Sequence, residues 1–294
     1  MSVGDRPELD PIEETALMVA WWRACESRRP DALFQDPFAL EMAESSLSPE
    51  KRRQYSRSPI FETTVDILAM RTVLIDERLS AWCAGAGTQV VNLGAGADSR
   101  PYRLPLPPAA RVFQVDTETL TRWSESFFAP HSPSCEVVRV AADLHDPARC
   151  LARLKSRGFD AGRPVLWILE GLLEFLDRSL VGDLLAALTA SSAPGSRLIA
   201  QVLDPEIIAF AHRQGDGGFP FKRLDPLPTV LSYLEGWRIS VVSYQELNER
   251  FGRGMGNLFH IVEGERQSQR KPFQGPTVPA RGKLASEMVI EDRR

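Results

Sequence analysis

Cysteine and histidine are scarce in this 294-residue chain, with four of each. Cys25, Cys83, Cys135 and Cys150 are scattered. No Cys-x-x-Cys pair exists, so neither a disulfide framework nor a zinc ribbon is encoded. The histidines fall at no metal-ligand spacing. Free buried thiols in a reducing compartment are the expectation. Positive charge is not in excess either. A net charge of −4 leaves no electrostatic footprint for nucleic acid or an acidic membrane surface. No apolar run is long enough to span a bilayer, and no internal repeat is visible. The first residues are polar and acidic, unlike a signal peptide, so a cytoplasmic location is expected.

What is present is ordinary globular composition, 43% apolar and 25% charged, organised around one stretch. Gln89 to Leu93 is a short apolar run that suits the central strand of a parallel sheet covered on both faces. Gly94 and Gly96 follow at its C-terminal end. Glycines there accept positive φ and let a ligand approach the backbone, and in open α/β sheets ligands bind at this edge. A nicotinamide dinucleotide fits poorly. The third glycine of that fingerprint is Ser99, and Asp98 beside the turn repels a pyrophosphate but attracts a cation. S-adenosylmethionine, with a sulfonium and an ammonium, suits that charge better.

Three more strand-like runs end in acids. Arg111 to Val115 ends in Asp116, about 20 residues past the first glycine, where a carboxylate can accept from a ribose diol or cap the next helix. Glu136 to Ala142 ends in Asp143 and Leu144, where Asp143 either meets an adenine amino group or caps the helix before Pro147. Val165 to Leu169 ends in Glu170 and Gly171. Asp98, Asp116, Asp143 and Glu170 on one sheet edge point to a cationic ligand.

Helical patterns cover Thr15 to Glu26, with Thr15 as N-cap and Leu17, Ala20, Trp21 and Ala24 on one face, and Ile60 to Cys83, with Ile67, Met70, Leu74 and Leu79 inward. Arg71 lies on that inward face, either binding a ligand carboxylate or paired with an acid such as Asp98. Residues 30–59 read as loop with one short helix around Phe38 to Glu44. Arg100 and Arg103 are expected to brace the glycine turn through ion pairs. Crossover helices at Thr117 to Phe128, Asp146 to Arg157 and Leu180 to Ser191 alternate with the strands, and Arg197 to Leu203 is a fifth strand. Strict alternation predicts a doubly wound, mostly parallel sheet. Residues 204–230 break the rhythm and read as a lid-like insertion. Trp237 to Ser243 and Leu258 to Glu263 complete seven strands. Gly252 to Gly256 reads as a mobile turn. Residues 1–14 and 265–294 are polar and read as a flexible N-terminus and a partly disordered tail, flanking a single domain over 15–264 whose first part, 15–83, is a helical cap.

Gly-Ala-Gly-Ala-Asp-Ser-Arg at 94–100 with Tyr-Arg-Leu at 102–104 resembles the signature of leucine carboxyl methyltransferase-like enzymes. Thr15-Ala16-Leu17 through Glu26 with Asp36-Pro37, Arg71-Thr72 with Ile75-Asp76, and Glu170-Gly171-Leu172-Leu173 with Phe175-Leu176 resemble other family segments. The likeness runs from about Thr15 to Gly264. It implies a Rossmann-like class I methyltransferase fold and S-adenosylmethionine as cofactor, with the bacterial polyketide O-methyltransferases as the nearest branch. It also implies methionyl-carboxylate binding by Arg71 and Arg23, the latter otherwise a solvated or paired arginine. Glu170 would lie near the amino group or sulfonium. The implied acceptor is a carboxylate of a small-molecule or carrier-bound intermediate, already ionised at neutral pH and needing no base. A hydroxyl acceptor would need one, with His145 and His212 as candidates. A non-catalytic S-adenosylmethionine-binding protein and a nicotinamide-linked oxidoreductase are the other readings.

Overall fold

The computed structural model describes residues 9–85, 87–213, 221, 224–253 and 259–268. The glycine run at 215–218, residues 254–256 of the glycine turn, the side chain of His212, most of the C-terminal tail and the first eight residues lie outside the described set.

Four helices precede the sheet: α1 (Pro11–Glu26), α2 (Ala39–Ser46), α3 (Pro49–Ser56) and α4 (Phe61–Ala84). The first begins before Thr15. Asp10 is its N-cap, accepting from the backbone of Ile12 and Glu13, while the Glu13 side chain returns to the Asp10 N–H as a capping box. Thr15 instead donates to the Ile12 carbonyl, at the end of the first turn. The stretch expected as loop holds a second helix, α3, because Ser48 caps it and Pro49 occupies a first-turn position where its missing N–H costs nothing. On α4, Met70, Leu74, Ile75 and Leu79 are buried, each contributing about 1.5–3 kcal/mol of apolar burial.

The sheet has seven strands in the order β3-β2-β1-β4-β5-β7-β6: β1 (Gln89–Leu93), β2 (Arg111–Asp116), β3 (Glu136–Ala141), β4 (Val165–Leu169), β5 (Arg197–Leu203), β6 (Trp237–Ser243) and β7 (Phe259–Arg266). The first five run parallel, and β7 is antiparallel to both β5 and β6. This is the mostly parallel α/β fold expected. Buried on both faces, β1 and β4 are unbroken in their burial, whereas the edge strands β3 and β6 alternate. The helices α5 (Arg100–Arg103), α6 (Glu118–Phe128), α7 (Pro147–Ser156) and α8 (Arg178–Ala190) follow β1 to β4; α9 (Glu206–Arg213) and α10 (Leu227–Ser232) follow β5, and α11 (Tyr244–Phe251) follows β6. One core packs α7 and α8 on the sheet, a second packs α4 and α11 on the opposite face, and α1, α2 and α6 form a third.

Because β1 pairs with β2 on one side and β4 on the other, the chain order reverses at β1. The register sets Leu93 beside Val115 and Leu169, so the residues after these strands gather at one edge, the crevice where such sheets bind ligands. Among the described residues no helix is long and apolar enough to cross a membrane.

Candidate active site

Gly94 and Gly96 both adopt positive φ, at 66° and 53°. Gly96 also has no room for a side chain: a Cβ there would lie 2.9 Å from the Cβ of Ala16 on α1. Helix α1 therefore lies across the glycine turn and divides the crevice into two lobes that meet at Thr15, Ala16, Gly94, Gly96 and Phe175. The first encloses about 140 Å³, the second about 390 Å³. The roomier space is thus on the side of Asp116 and Asp143.

In the larger lobe, Asp116 accepts from the Gly96 N–H at 2.6 Å and the Thr117 N–H at 2.8 Å. Thr117, not Asp116, caps α6. Burial pushes the Asp116 carboxyl up to about 6, the two backbone donors pull the other way, and Glu13 adds to the rise. Each carboxylate oxygen keeps a second lone pair for a ligand hydroxyl. Asp143 is exposed, and the His145 N–H at 2.9 Å and its Nδ1 at 3.0 Å hold it below the usual carboxylate range. Leu144 is buried in the lobe wall. Glu13, which accepts from the Thr117 hydroxyl at 2.5 Å, lines the same lobe and is not legible from the sequence. Only the cap geometry brings it there.

The smaller lobe is built on a buried ion network. Arg71 pairs with Glu170 at 2.8 Å and donates to Gln201 at 2.5 Å. Arg100 pairs with Glu170 at 2.7 Å, Asp76 at 2.7 Å and Asp98 at 3.3 Å. Arg103 pairs with Asp76 at 2.6 Å. Arg23 pairs with Asp36 at 3.0 Å and donates to the Ala97 carbonyl. Four arginines thus face the four carboxylates of Asp36, Asp76, Asp98 and Glu170. Burial alone would raise Glu170, but Arg100 and Arg71 overcome it and hold the carboxyl down at about 2. Asp98 departs from the expectation of a cation-binding acid. Besides Arg100, its carboxylate accepts from Asn92 at 2.9 Å, and its carbonyl from Gln114 at 3.0 Å. It anchors the turn through these internal donors and also lines the smaller lobe. The four strand-end acids do not form one cationic site: Asp98 and Glu170 join the network, and Asp116 and Asp143 face the other lobe. Arg71 pairs with Glu170 rather than Asp98.

Much of the rest of the smaller lobe is apolar, with Met18, Trp22, Ile67, Phe175, Phe210 and Phe221 among its walls, alongside Thr63 and Thr64. Trp22, not Trp21, is the buried member of the α1 tryptophan pair; Trp21 donates to Ser56 at the surface. Glu174 also lines this lobe. Its sequence signal is a lone acid inside Leu172-Leu173-Glu174-Phe175-Leu176. Tyr102 stacks on Phe128 at 4.0 Å, away from both lobes. Three thiols are buried and the fourth, Cys25, is half-buried; burial pushes all four up to about 11, so they are inert.

Residues 16–189 match the model of the family described as leucine carboxyl methyltransferase. Two relatives are named as S-adenosyl-L-methionine-dependent methyltransferases. One, from Streptomyces coelicolor, is 33% identical over 261 residues, covering 85% of this chain and 91% of the relative. Another, from Mycobacteroides abscessus, is 30% identical over 266 residues, covering 81% and 87%. Among solved structures, a Thermobifida fusca protein named as a methyltransferase superposes with a TM-score of 0.56 at 16% identity, covering 90% of this chain and 96% of that one. A Streptomyces avermitilis protein superposes with 0.57 at 14%, covering 85% and 97%. Those likenesses share the fold. The chain belongs to the leucine carboxyl methyltransferase family, and S-adenosylmethionine is its cofactor.

Proposed function

We propose that this enzyme methylates a carboxylate oxygen of a largely apolar small-molecule or carrier-bound natural-product intermediate, forming a methyl ester by direct displacement. The residues present fit the cofactor. The glycine turn leaves backbone open to a ligand between the lobes, and the buried Asn92 Oδ1 at its base has no partner. In this reading Asp116 takes the ribose hydroxyls, and Asp143 and Leu144 meet the adenine. Arg71 and Arg23 take the methionyl carboxylate, since each guanidinium has five N–H donors and only part of them are engaged. Glu170 faces the amino group and sulfonium, held ionised by its two arginines.

When bound, S-adenosylmethionine supplies a methyl group made electrophilic by the positive sulfonium. The chain's task is to align the acceptor oxygen with that methyl and to exclude water. The observation that carries the carboxylate reading is the place of His145. It lies in the lobe of Asp143 and is bound to that residue, not in the apolar lobe that would admit an acceptor. No histidine lines that lobe among the described residues. A carboxylate needs no base.

The test supplies methyl-labelled S-adenosylmethionine with apolar carboxylic acids and with the matching alcohols. Base-labile product, releasing labelled methanol, from the acids alone is the expected result. Base-stable label on the alcohols overturns the proposal.

A further inference from the structure

An acceptor carboxylate is best held by a donor, and among the described residues each arginine of the smaller lobe is already paired with an acid, the spare N–H groups of Arg71 and Arg23 being assigned above to the cofactor's carboxylate. Arg23, Arg71 and Arg100 each lie in an ion pair, within a network of equal positive and negative charge. The cofactor's own carboxylate draws on the same arginines. A second anion beside it needs a donor from outside that network.

Glu174 borders that network but makes no ion pair with it among the described residues. It sits in the 3-10 turn Leu173–Phe175 just after β4 and is only 6% exposed. Its Oε2 is sealed from solvent and has no hydrogen-bond partner among the described residues. A buried acceptor left in that state is costly, and natural structures satisfy such groups with a proton, a water or a ligand. Its side chain lines the apolar lobe on one side. On the other it lines a small cavity shared with Asp225, whose Oδ1 pairs with Arg178 of α8 at 2.7 Å.

We propose that Glu174, carrying a proton, is the hydrogen-bond donor that holds one oxygen of the acceptor carboxylate while the other oxygen faces the methyl. This rests on the carboxylate reading above. Placing an ionised carboxylate against an ionised Glu174 would be repulsive. Against a carboxylic acid it makes a charge-assisted hydrogen bond, shorter and about twice as strong as a neutral one, and a buried acid kept neutral is a known way to supply such a donor. The proton stays on Glu174 throughout, so ester formation leaves it unchanged for the next acceptor.

The surroundings raise the Glu174 carboxyl far enough that a large share is protonated at neutral pH and most of it below. Burial pushes the Glu174 carboxyl up to about 7, its own backbone N–H and Arg71 of α4 pull against it, and Glu170 at the end of β4 adds to the rise. Among the described residues, the other charged side chain lining the small cavity behind Glu174 is Asp225, paired with Arg178; Arg23, Asp98 and Arg100 line the lobe itself within the paired network. Gln201 of β5 also borders the lobe and is neutral.

The experiment is calorimetric titration of the S-adenosylhomocysteine-saturated protein with 4-phenylbutyrate, and with the uncharged 4-phenylbutanol, from pH 6 to 9. Wild type is expected to bind the acid with proton uptake above pH 7, its affinity falling by up to about tenfold per pH unit there. Glu174→Gln, which keeps a donor, is expected to hold the pH 6 affinity within a few fold and to lose the pH dependence. Glu174→Ala is expected to bind at least tenfold more weakly. Thermal unfolding with S-adenosylhomocysteine shows whether each variant is folded, and Glu174→Gln carries the test if the alanine variant is not. If wild type binds the acid with no pH dependence, or Glu174→Gln binds it as wild type does with the same slope, the role of Glu174 is overturned while the carboxylate reading stands. If wild type prefers the alcohol at every pH, the carboxylate reading falls and this inference with it. Glu174 would then be placed to act as the base for a hydroxyl.

Discussion

Replacing Asp116 with asparagine tests the proposed role of the larger lobe most sharply. The side chain keeps its shape but exchanges one oxygen for an N–H₂. In the native site the two oxygens accept from Gly96 at 2.6 Å and Thr117 at 2.8 Å. The amide oxygen can serve only one of these donors; the other faces an amide N–H and loses its acceptor. On the proposed assignment the ribose also loses a hydrogen bond to a charged group, about 1.5–3 kcal/mol. That is roughly ten- to a hundredfold in affinity for S-adenosylhomocysteine. The pH dependence sharpens the expectation. On that assignment the ionised carboxylate is the form that accepts both hydroxyls, and burial pushes the native carboxyl up to about 6. Wild-type affinity is therefore complete above pH 6 and falls as pH drops below it, by up to about tenfold per unit. The variant has nothing to titrate at that position. The ratio of wild-type to variant affinity should thus shrink from pH 7 to pH 5. Titration calorimetry across that range measures it, and thermal unfolding separates lost binding from lost fold. A folded variant that binds within threefold of wild type at pH 7, or a ratio independent of pH, refutes the assignment.

Three further expectations follow from the geometry. Gly96→Ala places a side chain at φ 53° and against Ala16; it should cost at least about 1 kcal/mol, some 2–4 °C in Tm, and weaken S-adenosylhomocysteine binding, both visible in a melting series with ligand. Asp10→Ala removes the capping box of the helix that roofs the glycine turn and should cost about 1 kcal/mol while weakening the cofactor through the roof rather than through a contact, which chemical denaturation and calorimetry together resolve. Glu170→Gln leaves Arg71 and Arg100 without their shared carboxylate and should destabilise by about 3–5 kcal/mol at pH 7. With the native group held at about 2 against an ordinary value of 4.5, its stabilisation is complete above pH 4.5 and lost as pH falls toward 2. The wild-type advantage in denaturant midpoint over Glu170→Gln should therefore shrink through that window.

Local chemistry determined much of this protein. The apolar runs at Gln89–Leu93 and Val165–Leu169 read as strands, the first suiting the centre of the sheet, and both are buried throughout. Alternating helix patterns dictated the parallel sheet, and Gly94 and Gly96 at the end of the first strand marked the ligand edge. Acids at successive strand ends were equally visible, and so were the bracing arginines Arg100 and Arg103. Tertiary structure decided what those charges do. The sequence shows four acids on one edge, but whether a carboxylate faces a ligand depends on which arginines are packed beside it. Asp98 is drawn inward by Arg100 and Asn92, Glu170 is shared by two guanidiniums, and Asp116 is turned toward the open lobe. The start of the first helix, too, was settled by a reciprocal cap at Asp10 and Glu13 that competes with Thr15 over one turn. Glu174 is the clearest case. In the chain it is one acid in an apolar run. Only the fold removes it from water, withholds an ion pair from it and sets it on the wall of the lobe, because desolvation and charge pairing are properties of surroundings assembled from distant segments.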